Sequence, residues 1–142
     1  MTDANSAAEV LEIKGLTKSL GGRNILCDIN LSVNSGEVFG FLGPNGSGKT
    51  TTIKLMLGLL RMEQGEIRIC GRNIVTDFEE AVKSVGGIIE NPEMYKYLTG
   101  RQNLEQYARM YGNIPKERFD EVIRLVGLQT RIDDKISKYS LG

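Results

Sequence analysis

Apolar and polar residues alternate with a period of two in the first part of the chain, the pattern of β-strands that are buried on one face. One strand begins at Val10, and a turn region lies between Gly15 and Gly22. A second strand is predicted over residues 24–33, where the apolar positions share one face: Ile25, Cys27, Ile29, Leu31 and Val33. A third alternates over residues 66–70. The chain therefore begins as an antiparallel sheet.

Two short apolar runs, residues 37–42 and 85–89, predict buried strands instead. Between them, residues 51–60 predict a helix that is apolar on nearly all sides and should pack against a sheet. A second, short helix is predicted from an N-cap at Asp77 through Lys83. Strand and helix elements thus alternate in the middle of the chain.

The pattern changes to a helical period after residue 92. Apolar residues recur at i, i+3, i+4 and i+7 in two sets: Leu104, Tyr107, Ala108 and Tyr111, then Phe119, Val122, Ile123 and Val126. This spacing predicts two amphipathic helices. Pro115 lies near the first turn of the second helix, and Gly127 is its predicted C-cap.

Composition narrows the classes of protein that fit. The 142 residues are enough for one domain with a core, and 18 basic residues balance 18 acidic ones. No whole-protein field therefore favours nucleic acid or anionic lipid, and no nucleic-acid partner is expected. The longest apolar runs fall far short of the ~20 residues that cross a bilayer. Residues 1–6 lack the features of a signal peptide, so a cytosolic location is expected.

Cys27 and Cys70 are isolated, with no C-x-x-C spacing. The chain contains no histidine, so neither a histidine base nor a histidine metal ligand is available within it. We expect both cysteines to be buried, reduced thiols.

The candidate ligand-binding residues lie mainly in one glycine-rich loop. Residues 43–50 match the phosphate-binding spacing G-x-x-x-x-G-K-[ST] without a mismatch, as Gly43, Pro44, Asn45, Gly46, Ser47, Gly48, Lys49 and Thr50. In such a loop the backbone N–H groups surround a phosphate, Lys49 reaches the β- and γ-phosphates, and Thr50 ligates Mg²⁺. The alternative is a glycine-rich turn that merely joins a strand to a helix. The predicted strand before the loop and the helix after it favour the phosphate site.

Three blocks together closely resemble the ATP-binding subunit of an ABC transporter. They are GLTK at residues 15–18, EVFGFLGPNGSGKTTTIKLMLGLL at 37–60, and TGRQNL at 99–104. The final KYSLG at residues 138–142 looks like the opening of that family's signature motif, in a variant found among bacitracin- and lantibiotic-export ATPases. Glu90-Asn91-Pro92 fits the same branch.

The resemblance implies an α/β P-loop NTPase of the ABC type, with an antiparallel β subdomain, a partial parallel core sheet and the start of a helical subdomain. It also implies a division into a flexible leader (1–9), a β subdomain with the P-loop core (10–90) and an incomplete helical subdomain (91–142). Such subunits pair head to tail on ATP and drive transmembrane permease subunits, peripheral to the cytoplasmic face of the membrane. Export of a peptide antibiotic or a similar small molecule is the implied function.

Carried onto this sequence, the resemblance implies roles for individual residues. Residues 43–51, which include Thr51, would form the ATP and Mg²⁺ site, with Lys49 catalytic. Leu20 stands where most relatives stack an aromatic residue on adenine. Glu90 replaces the usual Q-loop glutamine and would touch Mg²⁺ or the attacking water, or else be a solvated loop carboxylate. Ser140 and Gly142 would face the γ-phosphate held by the partner.

The same resemblance implies that residues 90–98 contact the transmembrane subunit, although simple loop packing explains Tyr95 and Tyr97 equally well. The Walker B strand, the D-loop and the switch histidine have no counterpart in the 142 residues. We therefore expect an ATPase by family whose isolated chain is not competent for turnover. Two alternatives stay open: a module that binds nucleotide or a partner without turnover, and a small P-loop kinase.

Overall fold

The computed structural model describes residues 8–90 and 94–140, and the chain divides into two compact units at Ile89 and Glu90. The elements of the first unit are β1 (Glu9–Leu20), β2 (Arg23–Asn34), α1 (Lys49–Met56), β3 (Gln64–Ile69), β4 (Arg72–Asn73) and α2 (Phe78–Val82). The second unit contains α3 (Gly100–Ala108), a 3₁₀ turn (Arg109–Tyr111), α4 (Lys116–Leu125) and a second 3₁₀ turn (Ile136–Lys138). Within the described residues, no helix is both long and apolar enough to cross a membrane.

A four-stranded antiparallel sheet in the order β2-β1-β3-β4 organises the first unit. The predicted antiparallel start of the chain is thereby confirmed. Its inner face packs on α1, and the core formed there has these buried members: Ile13, Leu16, Leu26, Leu55, Ile67, Ile69, Ile74 and Ala81. Burial of this apolar surface is the main stabilising term of the unit.

The strict alternation predicted for residues 24–33 is wrong at its centre. Leu16 of β1 pairs with Ile29, whereas Lys18 pairs with Leu26, so β2 carries an extra residue at a bulge. Asp28 lies in the bulge with φ +52°, and its N–H donates to Thr17 Oγ1 at 3.0 Å. Because a bulge reverses which side chains face inward, Leu26 is buried and Cys27 is exposed.

The prediction of two buried thiols is also wrong for Cys70. This residue lies with Gly71 in the turn between β3 and β4, where the two have φ +48° and +77°. Two consecutive positive φ angles are those of a type I′ hairpin turn, whose residues project from the end of the sheet. Cys70 is consequently exposed.

Helix α1 begins two residues before the predicted helix and ends at Met56, four residues early. The cause is Gly58, which adopts φ +67°. The Leu59 N–H donates to Lys54 O at 2.8 Å and the Gly58 N–H to Leu55 O at 3.0 Å, the two hydrogen bonds of a Schellman motif. Leu59 therefore lies outside the helix and is 63% exposed, so the predicted burial on nearly all sides fails there.

Neither residues 37–42 nor residues 85–89 form a strand, contrary to prediction. Val38 and Leu42 are 99% and 92% exposed, and Ile88 is 75% exposed. A strand requires a neighbour to pair with its backbone groups, and no described strand of the first unit lies beside these two segments. They therefore form no regular secondary structure, and apolar side chains such as Val38, Leu42 and Ile88 are left exposed.

The two amphipathic helices of the second unit are confirmed as α3 and α4, with Pro115 at the N-cap of α4 and Gly127 just past its C-cap. Helix α3 opens with a reciprocal capping box: the Gln102 N–H donates to Thr99 Oγ1, and the Thr99 N–H donates to Gln102 Oε1. The predicted apolar faces extend too far, because Tyr111 and Val126 lie beyond the helices and are exposed. Asp77 is the N-cap of α2 as predicted, but its carboxylate accepts from the Thr76 hydroxyl and makes no capping hydrogen bond.

Asn103 is a polar residue in the core of the second unit, with only 1% of its surface exposed. Its amide oxygen accepts from the Tyr95 N–H at 2.8 Å, and its amide nitrogen donates to Tyr95 O and Thr99 O, each at 3.0 Å. This one side chain thus fixes the backbone of the loop before α3.

Replacing Asn103 by alanine should lower the free energy of unfolding by about 2 kcal/mol, because the Tyr95 N–H and C=O lose the partly buried hydrogen bonds that this buried amide makes with them. Urea denaturation of the purified protein measures this change. Gln106→Ala is the matched control, since that amide lies on the same helix and accepts only a 3.3 Å hydrogen bond from Arg109. Equal effects of the two substitutions would contradict the assignment.

Candidate nucleotide-binding site

The loop of residues 43–48 connects the irregular segment of residues 37–42 to α1 and is shaped by close contacts of its own backbone. The Ser47 N–H donates to Pro44 O at 3.2 Å and closes a tight turn. Gly48 forms the N-cap of α1 with φ +91°, a conformation that L-residues with a side chain rarely adopt. A Cβ at Gly48 would lie 2.5 Å from Leu26 Cδ2 and 3.1 Å from Ile25 O, so this glycine lets the loop lie directly on β2.

The first turn of α1 presents backbone N–H groups that the helix itself does not satisfy. It contains no acidic residue. Thr52 anchors this end from beneath: it is fully buried, and both its N–H and its hydroxyl donate to Gly48 O, at 2.8 and 3.0 Å. A helix N-terminus with this composition attracts an anion.

The Lys49 ammonium lies over the loop. Lys49 Nζ donates to Gly43 O at 2.6 Å and to Pro44 O at 2.8 Å. A Cβ at Gly43 would lie 2.7 Å from Ser47 Oγ, so a side chain at position 43 would clash with the Ser47 hydroxyl within the loop. The positive charge of Lys49 thus lies at the opening of the phosphate cradle, the concave surface formed by residues 43–48 and the first turn of α1.

A cavity of about 290 Å³ opens beside the loop. It is lined by Leu20, Ile25, Asn45, Gly46, Gly48, Lys49, Thr50 and Thr51. Most of the loop residues singled out from the sequence therefore share one cavity, and Leu20, from the far end of β1, lines it as well. Leu20 is 42% exposed, so it offers apolar surface to a ligand.

The residues present fit Mg²⁺ only together with a phosphate ligand. No cluster of three or more histidine, cysteine or acidic side chains that could cage a metal exists among residues 8–90 and 94–140. Mg²⁺ in phosphate sites takes one or two protein oxygens and completes its shell with phosphate and water. Thr50, exposed at the helix N-terminus and on the cavity wall, carries a hydroxyl that could serve as one such oxygen.

The other candidate residues lie in the second unit. Glu90 is exposed and has φ +62°, and Ser140 is exposed at the end of the described chain. Gly142, Asn91 and Pro92 lie outside the described residues. Tyr95 and Tyr97 are 51% and 70% exposed, with ring centroids 5.9 Å apart. The functional roles of these residues stay predictions.

Sequence reasoning missed an ion pair of Lys18, a residue of β1 two positions before Leu20. Lys18 Nζ lies 2.7 Å from Glu63 Oε1, and the Ser19 N–H donates to Glu63 Oε2 at 2.9 Å. The hydrogen bond from Lys18, with that from the Ser19 N–H, holds the pKa of the Glu63 carboxyl below its usual range. Lys18 belongs to the GLTK block, but its partner Glu63 lies 45 residues further along the chain. Neither local sequence by itself therefore predicts this contact.

Comparison with known proteins agrees with this geometry. A family model described as "ABC transporter" matches residues 26–142. Among curated proteins, the chain is 53% identical over 133 residues to the uncharacterized ABC transporter ATP-binding protein YhcH of Bacillus subtilis. It is 39% identical to the bacitracin transport ATP-binding protein BcrA of Bacillus licheniformis. Each alignment covers 94% of this chain but 44% of the relative, so the chain spans less than half the length of these proteins.

Solved structures agree as well. The ATP-binding subunit of an ABC transporter superposes with a TM-score of 0.78 at 29% identity, covering 93% of this chain and 56% of that one. An ATP-binding cassette of an ABC transporter in its ADP conformation gives 0.76 at 25% identity, covering 93% and 59%. Subunit cbiO1 of Clostridium perfringens gives 0.81, but at 22% identity it shows the fold alone; 94% of this chain and 57% of that one are covered.

The fold and the loop are those of the P-loop NTPase class. With the family model covering most of its residues, the chain belongs to the ABC transporter family, whose ATP-binding members are ATPases. The resemblance to ATP-binding subunits, bacitracin and lantibiotic relatives included, is thereby confirmed, as is the fold class. Membership in this family decides against a small P-loop kinase.

Proposed function

We propose that this chain binds Mg-ATP at residues 43–51 as part of the ATP-binding subunit of an ABC transporter. The observation that carries the proposal is the cradle: a helix N-terminus without acidic residues, capped by Gly48 at φ +91° and overlaid by Lys49, opening on a cavity of about 290 Å³. The backbone N–H groups and the ammonium both complement a polyphosphate.

Each residue has a defined part in this proposal. Lys49 exchanges the Gly43 and Pro44 carbonyls for the β- and γ-phosphate oxygens when ATP arrives. Thr50 ligates Mg²⁺, which when bound neutralises charge on those oxygens. Leu20 packs on adenine, where an aromatic ring would add stacking that leucine lacks.

Hydrolysis needs groups beyond the cavity wall. No carboxylate is among the residues that line the cavity in the described chain, so these residues bind ATP and neutralise its charge. We assign the positioning of water and metal to Glu90, and contact with the γ-phosphate of a head-to-tail partner to Ser140 and Gly142. The alternative is a module that binds nucleotide without turnover, and the apolar and cationic lining of the cavity is the observation that favours it.

The transport function proposed is export of a peptide antibiotic or a similar small molecule through transmembrane permease subunits. BcrA, by name a bacitracin transport protein, supports the substrate class, and membership in the ABC transporter family supports the permease partners. In this proposal residues 10–90 form the nucleotide-binding part and residues 91–142 a helical part. Residues 90–98 contact the permease at the cytoplasmic face of the membrane.

Titration of the purified protein with a fluorescent ATP analogue, displaced by unlabelled nucleotides, tests the site. Mg-ATP should displace the analogue at a concentration at least about 10-fold lower than AMP, because AMP lacks the phosphates that Lys49 and Thr50 contact. Equal affinity for the two would reject the phosphate cradle. Phosphate release measured in the same sample separates turnover from binding alone.

A further inference from the structure

One edge of β1 loses its strand partner shortly before Leu20, the residue of β1 that lines the cavity. Strand β3 pairs with β1 only as far as Thr17 and Gln64, so within the described residues no strand continues along residues 18–20 on that side. The chain then turns at Gly21 and Gly22, both with positive φ, into β2. Leu20, which lines the cavity, therefore lies at the end of a hairpin where one edge of β1 has lost its strand.

Glu63 takes the place of that strand. This residue immediately precedes β3, and its two carboxylate oxygens accept from different groups of β1: Lys18 Nζ at 2.7 Å and the Ser19 N–H at 2.9 Å. Lys18 has a side chain that is only 10% exposed, so the ion pair is partly shielded from solvent. The residue next to Leu20 is thus tied to the body of the unit.

The tie also reaches the phosphate loop. Lys18 pairs across the sheet with Leu26, the residue whose Cδ2 lies at the position where a side chain on Gly48 would clash. Glu63 thus contacts Ser19, the neighbour of Leu20 on one wall of the cavity. Its partner Lys18 is paired with Leu26, which lies against Gly48 at the N-cap of α1 on the other wall.

We propose that Glu63 is a positioning residue for the nucleoside part of the nucleotide, because it fixes the end of β1 and thereby holds Leu20 at the mouth of the phosphate cradle. This inference rests on the proposed nucleotide-binding function. Glu63 itself does not line the cavity. Substitution of Glu63 should therefore weaken binding of the nucleoside part, which Leu20 contacts, and leave binding of the phosphates unchanged.

The test compares two ligands on each variant of the intact protein: Mg-ATP, and inorganic tripolyphosphate with Mg²⁺, which lacks the nucleoside. Glu63→Ala should weaken ATP binding about five-fold and leave tripolyphosphate binding within about two-fold. Both ligands are measured on the same variant. A loss of folded protein therefore lowers the apparent affinities for ATP and for tripolyphosphate equally and leaves the ratio of the two affinities unchanged. Glu63→Gln, which keeps an acceptor for the Ser19 N–H, should restore part of the ratio.

Glu66→Ala is the matched control. Glu66 is a β3 carboxylate that pairs with Arg68 and accepts from Asn73, and it does not line the cavity. The inference is overturned if Glu63→Ala leaves the ratio of the two affinities unchanged, or if Glu66→Ala changes it as much. If the parent protein binds neither ligand, the proposed function fails and this inference fails with it, whereas an unchanged ratio in a parent that binds ATP removes the inference alone.

Discussion

Replacing Lys49 by alanine is expected to weaken Mg-ATP binding about 100-fold, the largest effect on binding that a single side chain of the cavity can have. The ammonium is the only cationic side chain among the residues that line the cavity in the described structure. Charge-assisted hydrogen bonds to two phosphates together contribute about 3 kcal/mol, which corresponds to that factor. Titration with a fluorescent ATP analogue measures the change.

Lys54→Ala is the matched control for this experiment. Lys54 lies on the same helix, in its last turn, and does not line the cavity. It should leave the affinity within about two-fold, because a charge in the last turn of α1 lies away from the N-terminal end that would receive the phosphates and is screened by salt. An ATP affinity of Lys49→Ala equal to that of the parent would contradict the phosphate cradle, whatever the control shows.

The substitution should not unfold the protein. In the structure without ligand, Lys49 donates to two loop carbonyls, and both are exposed enough to bind water once the ammonium is removed. Its loss therefore costs little stability compared with the loss of ligand affinity. A thermal unfolding midpoint within a few degrees of the parent would separate the two effects.

The sequence predicts most strongly where the information is local. The phosphate loop, the antiparallel strands and the two later helices depend on spacings within about ten residues, and the structure has them all. For the same reason Pro115 lies at the start of α4 as predicted, and Gly127 lies only one residue past the C-cap, Val126. Element ends were missed where one residue overrides the pattern, as Gly58 does at the end of α1.

Long-range pairing accounts for the remaining differences. The two apolar runs at residues 37–42 and 85–89 have strand-like composition, but a strand exists only when another strand pairs with it. Cys27 was assigned to the wrong face because the bulge at Asp28 depends on its register against β1. The contact of Glu63 with Lys18 and Ser19 likewise joins segments more than 40 residues apart, so neither segment predicts it.

The cavity combines both kinds of information. Its phosphate side is readable from eight consecutive residues, whereas its other wall comes from the ends of β1 and β2. Leu20 was placed there only through the resemblance to ABC proteins. The structure accounts for that position physically, since the hairpin of β1 and β2 lies against the N-cap of α1 through Leu26 and Gly48.

Replacing Gly48 by alanine is expected to lower the free energy of unfolding by about 3 kcal/mol. Two causes add: alanine at φ +91° is strained by about 1–2 kcal/mol, and its Cβ would lie 2.5 Å from Leu26 Cδ2. Leu26 is 2% exposed and belongs to the core, so it cannot move away without disturbing its neighbours. Urea denaturation of the protein measures the loss.

Gly46→Ala separates the two causes, because the two glycines share the strain but not the contact. Gly46 has φ +82°, yet a Cβ there would meet nothing within 4 Å. Its substitution should therefore cost only the strain, about 1 kcal/mol. A double substitution, Gly48→Ala with Leu26→Ala, should cost less than the sum of the two single changes, since the smaller side chain removes the overlap. Equal losses for Gly46→Ala and Gly48→Ala, with additive behaviour of the double variant, would show that the loop does not pack on β2 through Gly48.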